Sequence, residues 1–266
     1  MNPEISIVTV TMNHLRLVNK MLYSLFVTDK PKVSFELILV DNCSTDRTVE
    51  SVRNDYPDVR IIENKQVYGF AKNNNIGAKE ANGNYILILN PDIVVLPDSI
   101  DTLYAYLKQN PSVGIVAPRL LNPSLMLQPS ARNFMSLKLL FHRVFTNGND
   151  DTENAIVRAY LMPDVSDYKP SEVDWCLGAA LLFKKDFYMQ LGGFDEKFFL
   201  YVEDADICQR CWFAGKRVVY LPEARMIHEH QRNSAKRFSK KTLIHLKSYF
   251  YFFRKNHFKI SRQPTR

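Results

Sequence analysis

Two acidic clusters are the features of this chain that suggest chemistry. Asp92 comes soon after the apolar run Tyr85–Leu89, where a buried strand would end at the rim of a sheet. Carboxylates at that place often bind a divalent cation. A second cluster, which includes Glu203 and Asp204, follows the aromatic stretch 198–201 and suits proton abstraction. Together the two clusters predict metal-assisted group transfer.

The elements that must position these acids alternate along the first half of the chain. Apolar runs predict strands at 5–11, 35–40, 59–62, 85–89 and 114–117, and helical spacing predicts helices at 15–26, 71–81 and 98–109. Strands that are apolar on both faces and separated by helices form mostly parallel sheets. We therefore predict an α/β fold, a single Rossmann-like domain with a mostly parallel central sheet flanked by helices. Ligands bind such sheets at the carboxyl ends of the strands.

The second half of the chain departs from this alternation. Residues 119–172 are rich in Asn, Asp, Ser and Pro and contain one helix pattern, at 137–144. A stretch of this kind is either an acceptor-facing insertion or a poorly ordered surface loop. Regular patterns resume with strands at 176–183 and 217–221 and helices at 186–191 and after Glu203.

The positive charge of the chain is concentrated at its end. The formal net charge is +7, yet residues 225–266 contain 12 Lys and Arg against a single acidic residue, and the remainder is slightly acidic. The length predicts one catalytic domain at 1–233, followed by a basic, aromatic helical tail at 234–266. Such a tail suits anionic lipid headgroups or a solvated helix face. We expect no nucleic acid partner.

Apolar runs and cysteines limit the cellular context. No apolar run approaches the roughly 20 residues that span a bilayer, and the N-terminus lacks the pattern of a secretion signal. We therefore expect a cytoplasmic protein. Four cysteines do not make a disulfide framework, and Cys208 and Cys211 lie three apart in a predicted helix, where packing is the expected role.

Four blocks of the sequence, taken together, resemble glycosyltransferase family 2, which has the GT-A fold, and are most similar to its rhamnosyltransferase-like branch. They are DNCSTDRTVE, YGFAKNNNIGAKEANGNYILILNPD, VDWCLGAALLFKKDFYMQLGGFDEKFFLYVEDADICQR and YLPEARMIHEHQRNS. The resemblance covers residues 5–257 and implies a nucleotide-binding half at about 1–118 and an acceptor-binding half at about 119–233. It also implies a dTDP- or UDP-linked sugar donor, Mg²⁺ or Mn²⁺, and inverting transfer to a hydroxyl group. The acceptor would be a saccharide or a lipid-linked saccharide in cell-surface polysaccharide synthesis.

The resemblance implies a nucleotide pocket at the ends of the first strands. Asp41 matches the residue that accepts a hydrogen bond from the pyrimidine base, with an Asx-turn as the alternative role. Thr9 and Thr11 would line the same pocket, and Gly69 belongs to the block that closes over the ribose. This sequence departs from the family in the spacer that follows Asn64.

The same resemblance assigns the cation site. Many members have two aspartates flanking one residue, where this chain has Asn90 and Asp92. Asp92 would bind the cation, and Asn90 would offer its carbonyl oxygen or contact the ribose. His228 matches a histidine that meets the metal or the diphosphate, with His230 as a competing candidate and a buried, merely hydrogen-bonded His228 as the alternative.

The catalytic assignment also follows from the family. Asp204 would act as general base, with Glu203 second, because a partly desolvated carboxylate beside another acid has a raised pKa. A single displacement needs no covalent intermediate. The sugar and acceptor would be lined by Trp175, Gly178 and Ala179, although a Trp packed in the core would look the same.

Several alternatives stay open. Residues 243, 246, 250 and 253 of the tail are apolar at helical spacing, which suits a membrane surface, packing on the catalytic domain, or pairing in a homodimer. Rhamnose from dTDP-rhamnose is the expected donor sugar, with a UDP-hexose-dependent galactosyl or glucosyl transferase, or a catalytically silent carbohydrate-binding scaffold, as alternatives. A dinucleotide-dependent oxidoreductase is disfavoured because no G-x-G-x-x-G follows the first strand.

Overall fold

The computed structural model describes residues 2–146, 151–165, 168–229, 240–257 and 260–263. Its strands are β1 (Ile5–Thr11), β2 (Phe35–Asp41), β3 (Arg60–Glu63), β4 (Tyr85–Leu89), β5 (Ile93–Val95), β6 (Val113–Leu121), β7 (Leu127–Gln128), β8 (Ala131–Arg132), β9 (Ser171–Glu172), β10 (Trp175–Cys176), β11 (Ala180–Lys184) and β12 (Arg217–His228). Its helices are α1 (Leu15–Tyr23), α2 (Thr48–Asp55), α3 (Phe70–Lys79), α4 (Ser99–Gln109), α5 (Leu137–Phe145), α6 (Ala155–Leu161), α7 (Lys185–Gln190), α8 (Glu203–Phe213) and α9 (Lys240–Lys255).

One mixed sheet forms the centre of the fold, in the order β3-β2-β1-β4-β11-β6-β12-β5. The first four strands are parallel, as their buried apolar runs predict. The second half adds antiparallel strands, because β11 runs opposite to both β4 and β6. An apolar run predicts that a strand is central but does not give its direction, so the mostly parallel prediction holds for the first half of the sheet.

Two hydrophobic cores lie on the two faces of this sheet. Within β4, Ile86 and Ile88 belong to one core and Leu87 and Leu89 to the other, which is the alternation that a pleated strand imposes. Side chains of α1, α2 and α4 fill one core, and those of α3, α7, α8 and α9 fill the other. Burial on both faces makes β4 a rigid centre for whatever follows its carboxyl end.

Two predicted strands differ from the observed ones. The predicted strand at 176–183 is divided by residues 177–179, so that β10 pairs with β8 and β11 enters the main sheet. The strand predicted to end at Leu221 continues to His228, with a register irregularity between Leu221 and Arg225. Pro222 lies in that irregular stretch, where a missing N–H group is tolerated.

The C-terminal helix α9 packs on the catalytic domain. Tyr249, Phe252 and Phe253 are buried in the core that contains α8, and Ser248 Oγ donates to the carbonyl of Leu200 at 2.9 Å. Lys255 Nζ lies 2.6 Å from Oδ1 of Asp206 in α8. The packing alternative therefore applies to one face of α9.

The opposite face of α9 is open. Leu243, Leu246 and Phe250 are 56, 41 and 61% exposed. Phe253 has the same helical spacing but is 2% exposed, because it packs in the core that contains α8. The apolar stripe thus consists of three residues rather than four.

Candidate active site

One edge of the sheet gathers most of the predicted site residues. Strands β1, β2, β4 and β12 all end at this edge, and the antiparallel strand β11 begins there. The edge therefore carries Thr11, Asp41, Asn90 and His228, with Asp92 just beyond β4. This is the place where open α/β sheets bind ligands.

A short segment, residues 178–179, connects the two acidic clusters. The N–H of Asn90 donates to the carbonyl of Ala179 at 2.8 Å. On the preceding residue, the N–H of Gly178 donates to Oδ2 of Asp204 at 2.9 Å. The strand end before Asp92 and the Asp204 side chain are thus joined through one backbone–backbone and one backbone–side-chain hydrogen bond.

Glu203 and Asp204 form the first turn of α8. The chain enters this helix through Tyr201 and Val202, whose φ angles are +70° and +73°. Left-handed backbone is strained for a β-branched residue, and such strain persists where the surrounding structure imposes it. The turn fixes both carboxylates beside the 178–179 segment.

The two carboxylates have different environments. Glu203 is 5% exposed, and among the described residues no hydrogen-bond donor reaches its Oε2. Burial, followed by the charge of Asp204, raises the pKa of Glu203 well above its ordinary value. Burial also raises the pKa of Asp204, but the N–H groups of Gly178 and Ala205 and the charge of Arg132 oppose this rise. The environment therefore disfavours a charge on Glu203 more strongly than a charge on Asp204.

Asp92 and His228 lie in contact, as a shared cation site requires. Nε2 of His228 lies 3.4 Å from Oδ2 of Asp92, and Nδ1 of His228 lies 3.0 Å from Oε1 of Gln128. Gln128 thus holds one ring nitrogen of His228 while the other faces Asp92. A carboxylate and an imidazole nitrogen at this separation suit a shared cation.

The described part of the chain brings no three His, Cys, Asp or Glu side chains together in a group that could hold a metal ion. The donors available are the Asp92 carboxylate, the His228 imidazole and the Asn90 amide oxygen. Magnesium and similar hard cations commonly take one or two protein ligands and complete their shell with phosphate oxygens and water. The donor set fits a cation that binds together with a diphosphate.

Thr11 and Asp41 are directly paired at the ends of β1 and β2. Asp41 Oδ2 accepts the N–H of Ser44 at 3.0 Å, which is the Asx-turn alternative. Its Oδ1 and the hydroxyl of Thr11 are buried without a hydrogen-bond partner in the described ranges. Buried polar atoms without partners are costly, so this pair suits a ligand that supplies hydrogen bonds, such as a pyrimidine base.

Three of the predicted site residues are buried and contact neighbouring parts of the protein. The Thr9 hydroxyl is fully buried and lies 3.6 Å from Sδ of Met21 under α1, so Thr9 does not line the edge. Trp175 is 6% exposed, and its Nε1 donates to the carbonyl of Asn133 at 3.0 Å. Ala179 is 3% exposed and contributes its backbone carbonyl rather than a side chain.

Gly69 owes its place to a close backbone contact. A Cβ atom there would lie 2.5 Å from the carbonyl oxygen of Phe199, and the N–H of Phe70 donates to the same oxygen at 2.7 Å. Asn64, the residue before the unusual spacer, donates to Oδ1 of Asn42 at 3.3 Å. The hydrogen bond to Phe199 joins the loop before α3 to the segment that leads to Glu203, and the contact of Asn64 joins the same loop to the end of β2.

Two neighbours of the site were not predicted. Gln128 holds His228, and Arg132 acts on Asp204. Both lie on two-residue strands within 119–172, where the sequence has no strand periodicity. The alternation rules therefore gave no signal for them. His230, the competing histidine, lies outside the described residues.

A mixed sheet between helical layers, with acids at one strand-end edge, is the GT-A class of α/β domain, and solved structures share it. The chain superposes on a structure of GalNAc-T7 with UDP, GalNAc and Mn²⁺ with a TM-score of 0.69 and 16% identity, covering 88% of this chain and 44% of that one. It also matches the mannosyltransferase PcManGT from Pyrobaculum calidifontis in complex with GDP-Man and Mn²⁺, with a TM-score of 0.64 and 18% identity over 96% and 65% of the two chains.

Sequence comparisons give the family. The model of glycosyl transferase family 2 matches residues 6–157. An N-acetylglucosaminyl-diphospho-decaprenol L-rhamnosyltransferase of Mycobacterium tuberculosis is 31% identical over 100% of this chain and 89% of its own length. The rhamnosyltransferase WbbL of Escherichia coli K12 is 30% identical over 92% and 90%. The chain belongs to glycosyl transferase family 2 and is a rhamnosyltransferase-like glycosyltransferase.

Proposed function

We propose that this chain transfers L-rhamnose from dTDP-rhamnose, with inversion, to a hydroxyl group of a lipid-linked saccharide in cell-surface polysaccharide synthesis. The two rhamnosyltransferases that match almost the whole chain support the sugar, and the name of the mycobacterial one supports a lipid-diphosphate acceptor. A UDP-hexose is the alternative donor. The main observation behind the proposed chemistry is that residues 178–179 join the strand end before Asp92 to Asp204.

Asp204 is the general base of this proposal. It is the more exposed of the two acids, and its two oxygens are oriented by the N–H groups of Gly178 and Ala205. Its raised pKa strengthens it as a base. Glu203 remains protonated beside it, so a second negative charge does not compete for the acceptor proton.

Asp92 and His228 would hold the divalent cation, with Asn90 as a third donor. A bound Mg²⁺ or Mn²⁺ would neutralise the diphosphate that leaves with the nucleotide. The proposal of a cation is supported by the Mn²⁺ in the structures of both fold neighbours. On the protein side, Gln128 fixes the His228 ring so that Nε2 faces the carboxylate.

The nucleotide would lie over the ends of β1 and β2. The pyrimidine base of dTDP or UDP can donate through its ring N–H and accept through its carbonyl oxygens. Asp41 Oδ1 accepts and the Thr11 hydroxyl donates, so the two unpartnered atoms complement such an edge.

No helix of the described residues is both long and apolar enough to span a bilayer. We place the enzyme on the cytoplasmic face of the membrane, bound through the exposed stripe of α9. Leu243, Leu246 and Phe250 share this face with the exposed Lys247 and Arg254. An apolar stripe flanked by cations suits the boundary between acyl chains and anionic headgroups.

The test is nucleotide release from dTDP-rhamnose, UDP-glucose and UDP-galactose, with Mg²⁺ or Mn²⁺ and a lipid-diphosphate-linked saccharide. We expect dTDP-rhamnose to be preferred and Asp204→Asn to reduce kcat by about 10²–10⁴-fold. Preference for a UDP-hexose would replace the donor assignment. Full activity of Asp204→Asn would remove the assigned base.

A further inference from the structure

One short segment leads into the helix that carries the proposed base. We call residues 195–202 the entry segment. It ends at Val202, whose carbonyl accepts the N–H of Asp206 at 2.9 Å in the first turn of α8. Glu203 and Asp204 follow directly. The conformation of the entry segment therefore determines where the two carboxylates lie.

The end of the entry segment has a strained backbone. The φ angles of Tyr201 and Val202 are +70° and +73°, a region that residues other than glycine rarely adopt and that suits a β-branched residue least. Such a conformation persists only where the surrounding structure imposes it. Elements packed against the entry segment must therefore hold this turn.

Helix α9 lies along the entry segment and runs in the opposite direction. Its contacts consequently occur in reverse order. From the end of α9 backwards, they are Lys255 with Asp195, Tyr251 with Phe198, Ser248 with Leu200 and His245 with Tyr201. A helix that contacts a segment along its whole length restrains the segment as a unit.

Two of these contacts lie next to the strained turn. Ser248 is 6% exposed, and its hydroxyl donates to the carbonyl of Leu200 at 2.9 Å. The ring of His245 lies between the rings of Tyr201 and Tyr249, with centroid distances of 4.5 and 4.8 Å. Ser248 and His245 thus hold the two residues that immediately precede Val202.

The entry segment is also held from a second side. The carbonyl of Phe199 accepts the N–H of Phe70 at 2.7 Å, whereas the next carbonyl, that of Leu200, accepts the hydroxyl of Ser248. Consecutive carbonyls are therefore bound by α3 and by α9. Removal of the α9 contact would leave the strained turn attached on one side only.

From these contacts we infer that Ser248 and His245 of α9 are positioning residues for catalysis, which hold the turn at Tyr201 and Val202 and thereby fix Asp204 against Gly178. This inference rests on the proposed function, since Asp204 is the base assigned there. It gives α9 two separate faces. The exposed stripe faces away from the domain, and the packed face completes the support of the active site.

The kinetic test uses nucleotide release by the full chain with the nucleotide sugar that gives the fastest turnover. Ser248→Ala and His245→Ala should each lower kcat by about tenfold, because a small displacement of a reacting group is costly. KM for the nucleotide sugar should stay at the wild-type value, because its proposed pocket lies over the ends of β1 and β2.

His245→Phe separates the ring contact from any chemistry of the imidazole. Burial, followed by the charge of Arg143, lowers the pKa of His245 to about 4, so the ring is neutral near pH 7 and phenylalanine removes no charge. His245→Phe should therefore keep most of the wild-type kcat that His245→Ala loses.

Ser6→Ala is the matched control for loss of a buried hydroxyl. Ser6 is fully buried, and its hydroxyl donates to Oε1 of Glu36 at 2.6 Å and accepts the N–H of Gly83 at 2.8 Å. These contacts lie at the opposite edge of the sheet, where β1 begins. Ser6→Ala should lower Tm at least as much as Ser248→Ala and keep the wild-type kcat.

Hydrogen–deuterium exchange reports on the turn without turnover. Peptides that cover residues 203–206 contain the amide that binds the Val202 carbonyl. They should exchange faster in Ser248→Ala and His245→Ala than in wild type or Ser6→Ala, because local loosening exposes this hydrogen bond. The double variant should lose less kcat than the product of the two single losses, since both changes release the same turn.

Three outcomes would overturn the inference. They are wild-type kcat in both alanine variants, a loss of kcat that Ser6→Ala shares, and unchanged exchange at residues 203–206. Faster exchange at these residues with wild-type kcat belongs to the first outcome. If Asp204→Asn is fully active while the α9 variants lose kcat and exchange faster, the base assigned in the proposed function is wrong, and the dependence of catalysis on α9 stands.

Discussion

The backbone of Gly178 contacts the side chain of Asp204. The N–H of Gly178 donates to Oδ2 of Asp204 at 2.9 Å, and a Cβ atom on Gly178 would lie 3.1 Å from Cβ of Asp204. The contact orients the carboxylate and leaves no space for a larger residue. The position of Asp204, the proposed general base, is therefore set by a glycine 26 residues earlier in the chain.

Gly178→Ala should impair catalysis more than stability. The added methyl group would push Asp204 by a few tenths of an ångström, and small misplacements of reacting groups are costly, so we expect kcat to fall by roughly tenfold. Gly77→Ala is the contrasting variant, since its methyl group would meet Cγ1 of Val8 at 2.4 Å. That variant should lose about 1–3 kcal/mol of stability through overpacking. Equal kcat for Gly178→Ala and wild type would contradict the orienting role.

Glu203→Gln should make the protein more resistant to rising pH. Because the pKa of Glu203 is raised in the folded state, the folded protein holds a proton that the unfolded chain releases above its ordinary pKa. Stability falls with pH from that value up to the folded pKa, by about 1.4 kcal/mol per pH unit. The glutamine variant lacks this slope.

The measurement is urea unfolding of wild type and Glu203→Gln between pH 5 and 8. The stability of the variant relative to wild type should increase steadily over this range, whatever its value at pH 5. Parallel curves would show that Glu203 titrates normally. The acid limb of kcat should stay at the same pH in Glu203→Gln, because a protonated Glu203 carries no charge that could act on Asp204.

Gln128→Leu should weaken cation binding without touching either proposed ligand. Gln128 holds Nδ1 of His228 at 3.0 Å, and loss of such a supporting contact typically lowers metal affinity by about 10–100-fold. Mn²⁺ affinity, measured by paramagnetic resonance with dTDP present, is the readout. Gln109→Leu, an exposed position on α4, is the control. Unchanged Mn²⁺ affinity in Gln128→Leu would mean that His228 does not bind the cation.

Much of the strand-end edge was predictable because it follows from local pattern. The buried runs of β1, β2 and β4 gave the positions of Thr11, Asp41 and Asp92, since the last residue of a parallel strand lies at the ligand edge. Alternation puts Thr9 and Thr11 on the same face of β1, so the sequence did not distinguish them. Two residues before Thr11, Thr9 lies deep enough in the strand for its hydroxyl to be covered by α1.

Contacts that depend on tertiary packing were not predictable. Gln128 and Arg132 meet partners 100 and 43 residues away through strands of only two residues each, which carry no periodic signal. The direction of β11 could not be predicted either, because its apolar residues suit both a parallel and an antiparallel strand. The burial of Phe253 was not predictable, because helical spacing does not show which part of α9 packs against the rest of the protein.

The exposed stripe of α9 provides a test of membrane association that keeps the fold. Truncation of the tail is unsuitable because it would remove Phe252 and Phe253, which are 1 and 2% exposed in the core. The combined change of Leu243, Leu246 and Phe250 to Ser removes apolar surface that is already exposed. We expect wild type to float with vesicles of anionic lipid and the triple variant to stay behind, because binding scales with the apolar area inserted.

The matched control changes three exposed apolar residues elsewhere, Tyr23, Val27 and Met126, to Ser; these are 53, 58 and 62% exposed. This control should float as wild type does, since its residues do not share a face with Lys247 and Arg254. High salt should weaken flotation of the wild type because it screens the attraction to anionic headgroups. If the α9 variant and the control float equally, the stripe does not bind membrane, and its apolar face must serve another partner.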